Sequence, residues 1–222
     1  MKKVVFATVL AGLTLWLVPG AYADNVFVGL GANGGAPGLV AASGTGAVFL
    51  APSSVAGWTV SATAFGTPLA GPEPTLEGFT VDASNTSSGI SSLQIYVTEG
   101  SLSSPTGINT FLSGLTSNLL LGGIGSVTES TYIDTGNGLF TTTSLLSSQT
   151  FTGIGSVTLG ATTPSLAAPY SETEVFDIQA TGVGTVQDTI TISNAPEPGT
   201  LTLFGSGLIG LAGLLRRKLA LV

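Results

Sequence analysis

The side chains of this chain that could do chemistry are almost all carboxylates. Twelve Asp and Glu run from Asp24 to Glu197, and between Val4 and Leu215 there is no Lys, Arg, His or Cys. A Ser-His-Asp triad therefore lacks its base, and a zinc site lacks its usual nitrogen and sulfur ligands. Paired-carboxylate chemistry, as in glycoside hydrolysis, is the enzyme class that composition leaves open. Its candidates are Glu172, Glu174 and Asp177 on one expected strand and Asp188 on the next. Period two puts Glu172 and Glu174 on one strand face. No clustering motif accompanies them, and scattered carboxylates ordinarily keep an acidic exported protein soluble. The sequence thus reads as non-catalytic, with no cofactor.

Calcium is the other use of acidic oxygen. Asp134-Thr135-Gly136-Asn137-Gly138 offers a carboxylate, an amide oxygen and backbone carbonyls, the hard ligands that calcium takes. It lacks the spaced acidic ligands of a helix-loop-helix calcium loop, so Asp134 and Asn137 compete with a simpler reading: a hairpin turn at Asn137-Gly138. Aromatic platforms for sugar stacking would come from Trp58, Tyr96, Tyr132 and Tyr170. Each lies in or beside an apolar-alternating stretch and so is also a packing candidate. Tyr96 and Tyr132 stand out because Tyr often keeps its hydroxyl wet.

A region without cations cannot neutralise phosphates, which excludes nucleic acid as a partner and disfavours anionic membrane surfaces. The absence of Cys removes any disulfide framework, which a chain of 222 residues can do without.

The elements that must position these groups read as strands. From Asp24 to Asn194, short alternating runs are punctuated by Gly, Pro, Ser and Asn, the pattern of sandwiches and barrels. Trp58–Phe65, Leu93–Thr98, Thr173–Ala180 and Thr185–Ile192 are the clearest, the last two as paired late strands around Gly182-Val183-Gly184. Ile108, Phe111, Leu112, Leu115 and Leu119 have helical spacing, although Ser, Gly114 and Thr116 weaken it, so a short helix or a packing loop is expected there. Gly123–Thr128 recurs as Gly153–Thr158, which predicts two similar strands in one sheet. The expected fold is all-β, an antiparallel β-sandwich of jelly-roll or immunoglobulin-like type, flanked by an N-terminal signal helix and a C-terminal transmembrane helix.

The two ends carry processing signals. Lys2-Lys3, an apolar run from Val4 to Val18, and Ala21-Tyr22-Ala23 before Asp24 follow the order of a secretory signal peptide. Residues 1–23 are therefore expected to pass the Sec translocon and to be cut by signal peptidase after Ala23, with Ala21 and Ala23 as the recognised small residues. At the other end Pro196-Glu197-Pro198 precedes an apolar run, Thr200–Leu215, and the basic stop Arg216-Arg217-Lys218. Sixteen helical residues span ~24 Å, short of a ~30 Å hydrocarbon core. The positive-inside rule keeps the basic tail cytoplasmic and the domain outside. An earlier triplet, Pro72-Glu73-Pro74, is followed by polar residues and reads as a turn.

Triplet, span and basic tail together resemble the PEP-CTERM sorting signal of Gram-negative bacteria, over roughly the last 28 residues. The resemblance implies processing by the membrane protease exosortase, a transient membrane anchor, and a setting in the cell envelope or its polysaccharide matrix. The expected organisation is a signal peptide at 1–23, an extracellular β-sandwich at 24–194 and the sorting signal at 195–222. The expected function is a non-catalytic structural or adhesive surface protein associated with exopolysaccharide. The alternative is a carbohydrate- or calcium-binding module, and a carboxylate glycosidase stands behind both.

Overall fold

Strands dominate because the chain between the two signals is rich in Thr and Val, with apolar residues set at period two, which suit a pleated, half-buried surface. The computed structural model describes residues 25–67, 75–195 and 206–209. Ten strands form there: β1 (Asn25–Ala32), β2 (Gly38–Ser43), β3 (Ala47–Val55), β4 (Trp58–Thr67), β5 (Thr75–Asn85), β6 (Ser91–Leu102), β7 (Thr110–Asp134), β8 (Ser144–Phe151), β9 (Gly155–Thr162) and β10 (Tyr170–Asn194). All pairings among them are antiparallel.

Two strands of 25 residues, β7 and β10, organise the rest. They pair with each other from Phe111↔Asn194 to Asp134↔Ser171. On its other side β10 pairs first with β6, through Tyr170–Ala180, and then with β5, through Gly184–Ser193. The free side of β7 is shared likewise, between β9 at Thr110–Ser117 and β8 at Val127–Ile133. The result is two layers that share their central strands. The first runs β2-β1-β6-β10-β7-β8 and the second β3-β4-β5-β10-β7-β9. Strands that change sheet at a bend are one way to turn the corner of a sandwich.

The corner is built of glycine. The β7–β10 register shifts between Ala180 and Gly184, where Gly122 takes a φ of 68°. A Cβ on Gly123 would lie 2.6 Å from the carbonyl carbon of Gly182, and one on Gly184 would lie 2.5 Å from the Leu121 oxygen. Any side chain there would push the two backbones apart, so the bend requires residues without one. The Gly182-Val183-Gly184 segment is therefore a fold line within one strand, not the turn of a hairpin between two. Either side of it, β7 meets itself: Ser113 Oγ and Thr131 Oγ1 are 2.7 Å apart.

The segment with helical spacing, Ile108–Leu119, is also strand from Thr110 onward. Phe111, Ser113, Leu115 and Ser117 are buried at period two, while Ile108 lies outside at 73% exposure. Alternation of Ser and Leu served the sheet, and the i, i+3, i+4 match was coincidental. The repeated Gly-Ile-Gly-Ser-Val-Thr motif falls in β7 and across the start of β9. Its copies share the hydrogen-bonded network but do not pair with each other. The Asn137-Gly138 turn does join antiparallel neighbours, β7 and β8, through a nine-residue loop (135–143) in which Asn137 alone of that pair has positive φ.

Between the layers lie Trp58, Phe111, Tyr170, Phe176, Leu93, Ile95 and Ile178, all fully buried. Burying each such side chain contributes about 1.5–3 kcal/mol. The expected signal helix at 1–23 and the turn at Pro72-Glu73-Pro74 lie outside the described residues. So does the expected transmembrane helix, apart from one helical turn at 206–209. Among the described residues no helix is long and apolar enough to cross a membrane.

Candidate functional site

Period two sends alternate residues of each strand inward, and in this chain that rule carries carboxylates into the core. Glu172 and Glu174 share the inner face of β10 with Phe176 and Ile178, as their spacing predicted. Glu99 continues the inner row of Leu93, Ile95 and Val97 on β6, and Glu129 that of Val127 on β7. All four, and Asp188 from the opposite layer, are 0% exposed. Glu99 and Glu172 are cross-strand neighbours. Two glycines of the facing layer make room: Gly66 packs against Glu99, and Gly78 against Glu174.

Burial without cations governs how these groups ionise. Burial, with a smaller contribution from the charge of Asp188, pushes Glu129 up to about 9. Burial pushes Asp188 up to about 7. Glu174 is held well above the ordinary carboxylate range, first by burial and then by its neighbour Glu172. The Thr116 and Gly78 amides and the Ser117 hydroxyl offset part of the penalty at Glu129, Glu174 and Asp188, but none reaches them in good hydrogen-bond geometry. At neutral pH Glu129 and Glu174 are thus mostly protonated, and Asp188 is about half protonated. A carboxyl sealed between two sheets cannot reach a glycosidic oxygen, so three of the four glycosidase candidates sit where no sugar is bound. Only Asp177 faces outward.

Asp177 belongs to a polar network on the outer face of the first layer. Gln94 pairs with it across β6 and β10, and Thr128 across β10 and β7. Gln94 Nε2 donates to Asp177 Oδ2 at 3.3 Å, and Gln179 Nε2 to Asp177 Oδ1 at 2.6 Å. The Tyr96 hydroxyl donates to Gln94 Oε1 at 3.3 Å. Burial raises the Tyr96 pKa, helped by the charge of Asp177 and by Tyr132. Beside this network the 135–143 loop folds over the sheet: Phe140 meets Tyr96 edge-on at 5.9 Å between ring centres, and its N–H donates to Thr98 Oγ1. Amides, a carboxylate and tyrosines set in register on a rigid sheet are the group types that hold hydroxyl-rich ligands. Of the other aromatic candidates, Trp58 and Tyr170 are core residues, and the Tyr170 hydroxyl donates to the Ser104 carbonyl at 2.8 Å.

The oxygens of Asp134 and Asn137 hold the loop. Asp134 Oδ2 accepts the Gly138 N–H at 2.8 Å, and Asn137 Oδ1 accepts the Ser101 N–H at 2.7 Å. Burial disfavours the Asp134 charge, yet the amides of Gly138 and Gly136 and the hydroxyls of Thr141 and Thr143 outweigh it and lower the pKa. Among the described residues no group of three or more acidic side chains could hold a metal ion. Ala21, Ala23, Pro196, Glu197, Pro198, Arg216, Arg217 and Lys218 lie outside the described residues.

Glu99 and Glu129 were missed in the sequence because neither lies near another carboxylate. Their place in the alternation after Leu93-Ile95-Val97 and Val127 was the available signal.

Fold and composition define an acidic all-β sandwich. Residues 194–218 match the PEP-CTERM protein-sorting motif. The chain thus carries a PEP-CTERM sorting signal, and the motif implies an exported, envelope-associated protein with exosortase as its sorting partner. None of the curated proteins matches the chain. Solved structures with some likeness include the enzymatically active domain of bacteriophage CBA120 tailspike protein 4, at 11% identity and a TM-score of 0.34, covering 64% of this chain and 20% of that one. The CBM22-1 xylan-binding domain of a Paenibacillus barcinonensis protein is 11% identical at a TM-score of 0.33, covering 69% and 88%. TmCBM61 in complex with beta-1,4-galactotriose is 10% identical at 0.32, covering 63% and 90%. Likeness of this degree carries no argument about ligand.

Proposed function

We propose that the protein is a non-catalytic structural or adhesive component of the cell envelope or its extracellular matrix, delivered by exosortase processing and associated with exopolysaccharide. The observation that carries this reading is the junction of a PEP-CTERM motif at 194–218 to a cation-free all-β domain whose carboxylates are largely buried. The polar network of Gln94, Asp177 and Gln179, backed by the buried Tyr96, favours direct contact with a glycan, as in the carbohydrate-binding alternative. With no cation on the domain, that glycan is neutral.

The test is co-sedimentation of the full chain with insoluble neutral polysaccharides and with the producing organism's own extracellular polysaccharide. Asp177→Ala and Gln94→Ala should weaken retention about tenfold, the scale of losing one well-placed polar contact. Equal retention of wild type and both variants, or none by wild type, would remove glycan binding through this face.

A further inference from the structure

The acidic groups of the domain avoid its flanks. Asn25–Gly71 and Thr135–Ser171 contain no charged residue at all. These stretches supply β1 to β4 on one side and β8 and β9 on the other. The half-buried Glu77, Asp82 and Asp177 point out from the broad faces instead. Two copies approaching face to face therefore repel, whereas two approaching flank to flank do not.

The four edge strands are not equally open. Unpaired edges invite pairing with another chain, and proteins blunt them with charge, proline, bulges or short length. β2 has only six residues, and its register with β1 shifts at Val28/Gly29. β3 carries Pro52, which lacks an N–H, inside a shift between Leu50 and Ser53. β8 carries an extra residue, Leu146, opposite Thr131/Tyr132. β9 has none of these guards. Its eight residues run in unbroken register with β7 from Ser117↔Gly155 to Thr110↔Thr162, without charge or proline. Its inward side chains, Val157 and Leu159, pack on the core yet remain partly exposed. Among the described residues no strand lies on its outer side.

We propose that β9 is a self-association edge, pairing antiparallel with β9 of a second copy of this chain so that the second layer continues across a two-fold axis. The occupant is a second copy because the edge offers no charge for a foreign partner to read, while this otherwise anionic molecule supplies an uncharged strand of matching pattern. Such a contact is isologous and closes as a dimer. Main-chain hydrogen bonds supply the pairing, and Val157 and Leu159 of both copies lose their remaining exposure.

The test uses the full chain in mild detergent, read by sedimentation velocity, with Thr158 changed in two opposite ways. Thr158 is exposed near the middle of β9, so its replacement leaves the core alone. Near the two-fold axis, residue 158 of each copy falls within cross-strand reach of the other. Thr158→Glu and Thr158→Lys should each weaken the dimer about tenfold or more, through like charges set side by side. Mixing the two variants one to one should restore a dimer holding one copy of each. Ser54→Glu, on the guarded edge β3, should leave the dimer intact. A monomeric wild type, single variants that still dimerise, a mixture that fails to recover, or loss of the dimer in Ser54→Glu would each overturn the proposal.

Discussion

Asp188→Asn should stabilise this protein at neutral pH and leave it nearly unchanged in acid. Asp188 and Glu129 have folded pKa values above their unfolded ones, about 7 and about 9, against ordinary values of 3.8 and 4.5. Well below pH 4 both states hold their protons and the groups exert no penalty. As the pH rises the unfolded chain ionises first, so stability falls until the folded groups also ionise. For Asp188 the gap of roughly three units corresponds to about 4 kcal/mol lost by pH 7, at 1.36 kcal/mol per unit. Glu129 loses a similar amount over pH 4.5 to 7. The two do not simply add, because part of the Glu129 shift comes from Asp188 itself. Even one is a large share of the 5–15 kcal/mol by which domains are ordinarily stable. Urea unfolding of the full chain followed by far-UV circular dichroism, at intervals from pH 4 to 9, measures the slope. Wild type should weaken steadily from about pH 4 to 7, and both Asp188→Asn and Glu129→Gln should flatten that decline. A wild-type stability that is level or rising across this range would refute the reasoning. So would an Asp188→Asn variant no more stable than wild type at pH 7.

Asp134 works in the opposite direction. Its pKa is lowered, so its contribution is present at neutral pH and is lost as the pH falls through its folded value. At the fold line, Gly184→Val should destabilise by about 3 kcal/mol or more, because its side chain would overlap the Leu121 carbonyl and the Gly123 amide. Thermal melts beside a Gly153→Val control in open space would report it. In sorting, Glu197→Ala should keep the Arg216–Val222 tail and stay in the membrane fraction, whereas wild-type surface protein should lack that tail. Intact Val222 on the wild-type surface protein would instead mark an ordinary single-span anchor. N-terminal sequencing of the exported form should return Asp24.

The alternation of Leu93, Ile95 and Val97, or of Glu172 and Glu174, was enough to read an all-β fold and to place those side chains on one face. Period two does not say which face is the inner one. That choice depends on which strands stack, so carboxylates expected at the surface proved to line the core. The long strands were hidden for a related reason. Gly122-Gly123 and Gly182–Gly184 look locally like turns, and only their pairing with each other reveals a bend that both strands pass through without ending. The Asp177 network was partly legible: Tyr96 and Asp177 were each noticed, but Gln94 and Gln179 join them only once β6 and β10 pair in register.

The central place of β10 has a mechanical consequence. The chain leaves this strand at Asn194 and runs straight into the sorting motif, with the Ala195 N–H still bonded to the Thr110 carbonyl at 2.7 Å. Tension that enters the domain from its C-terminal side therefore reaches β10 first. That strand is laced to β7 along one side and to β5 and β6 along the other. Load parallel to such a strand is shared by the rungs of both ladders at once, whereas a terminal edge strand would peel away one rung at a time. Load entering the domain from its C-terminal side thus meets a strand laced on both sides.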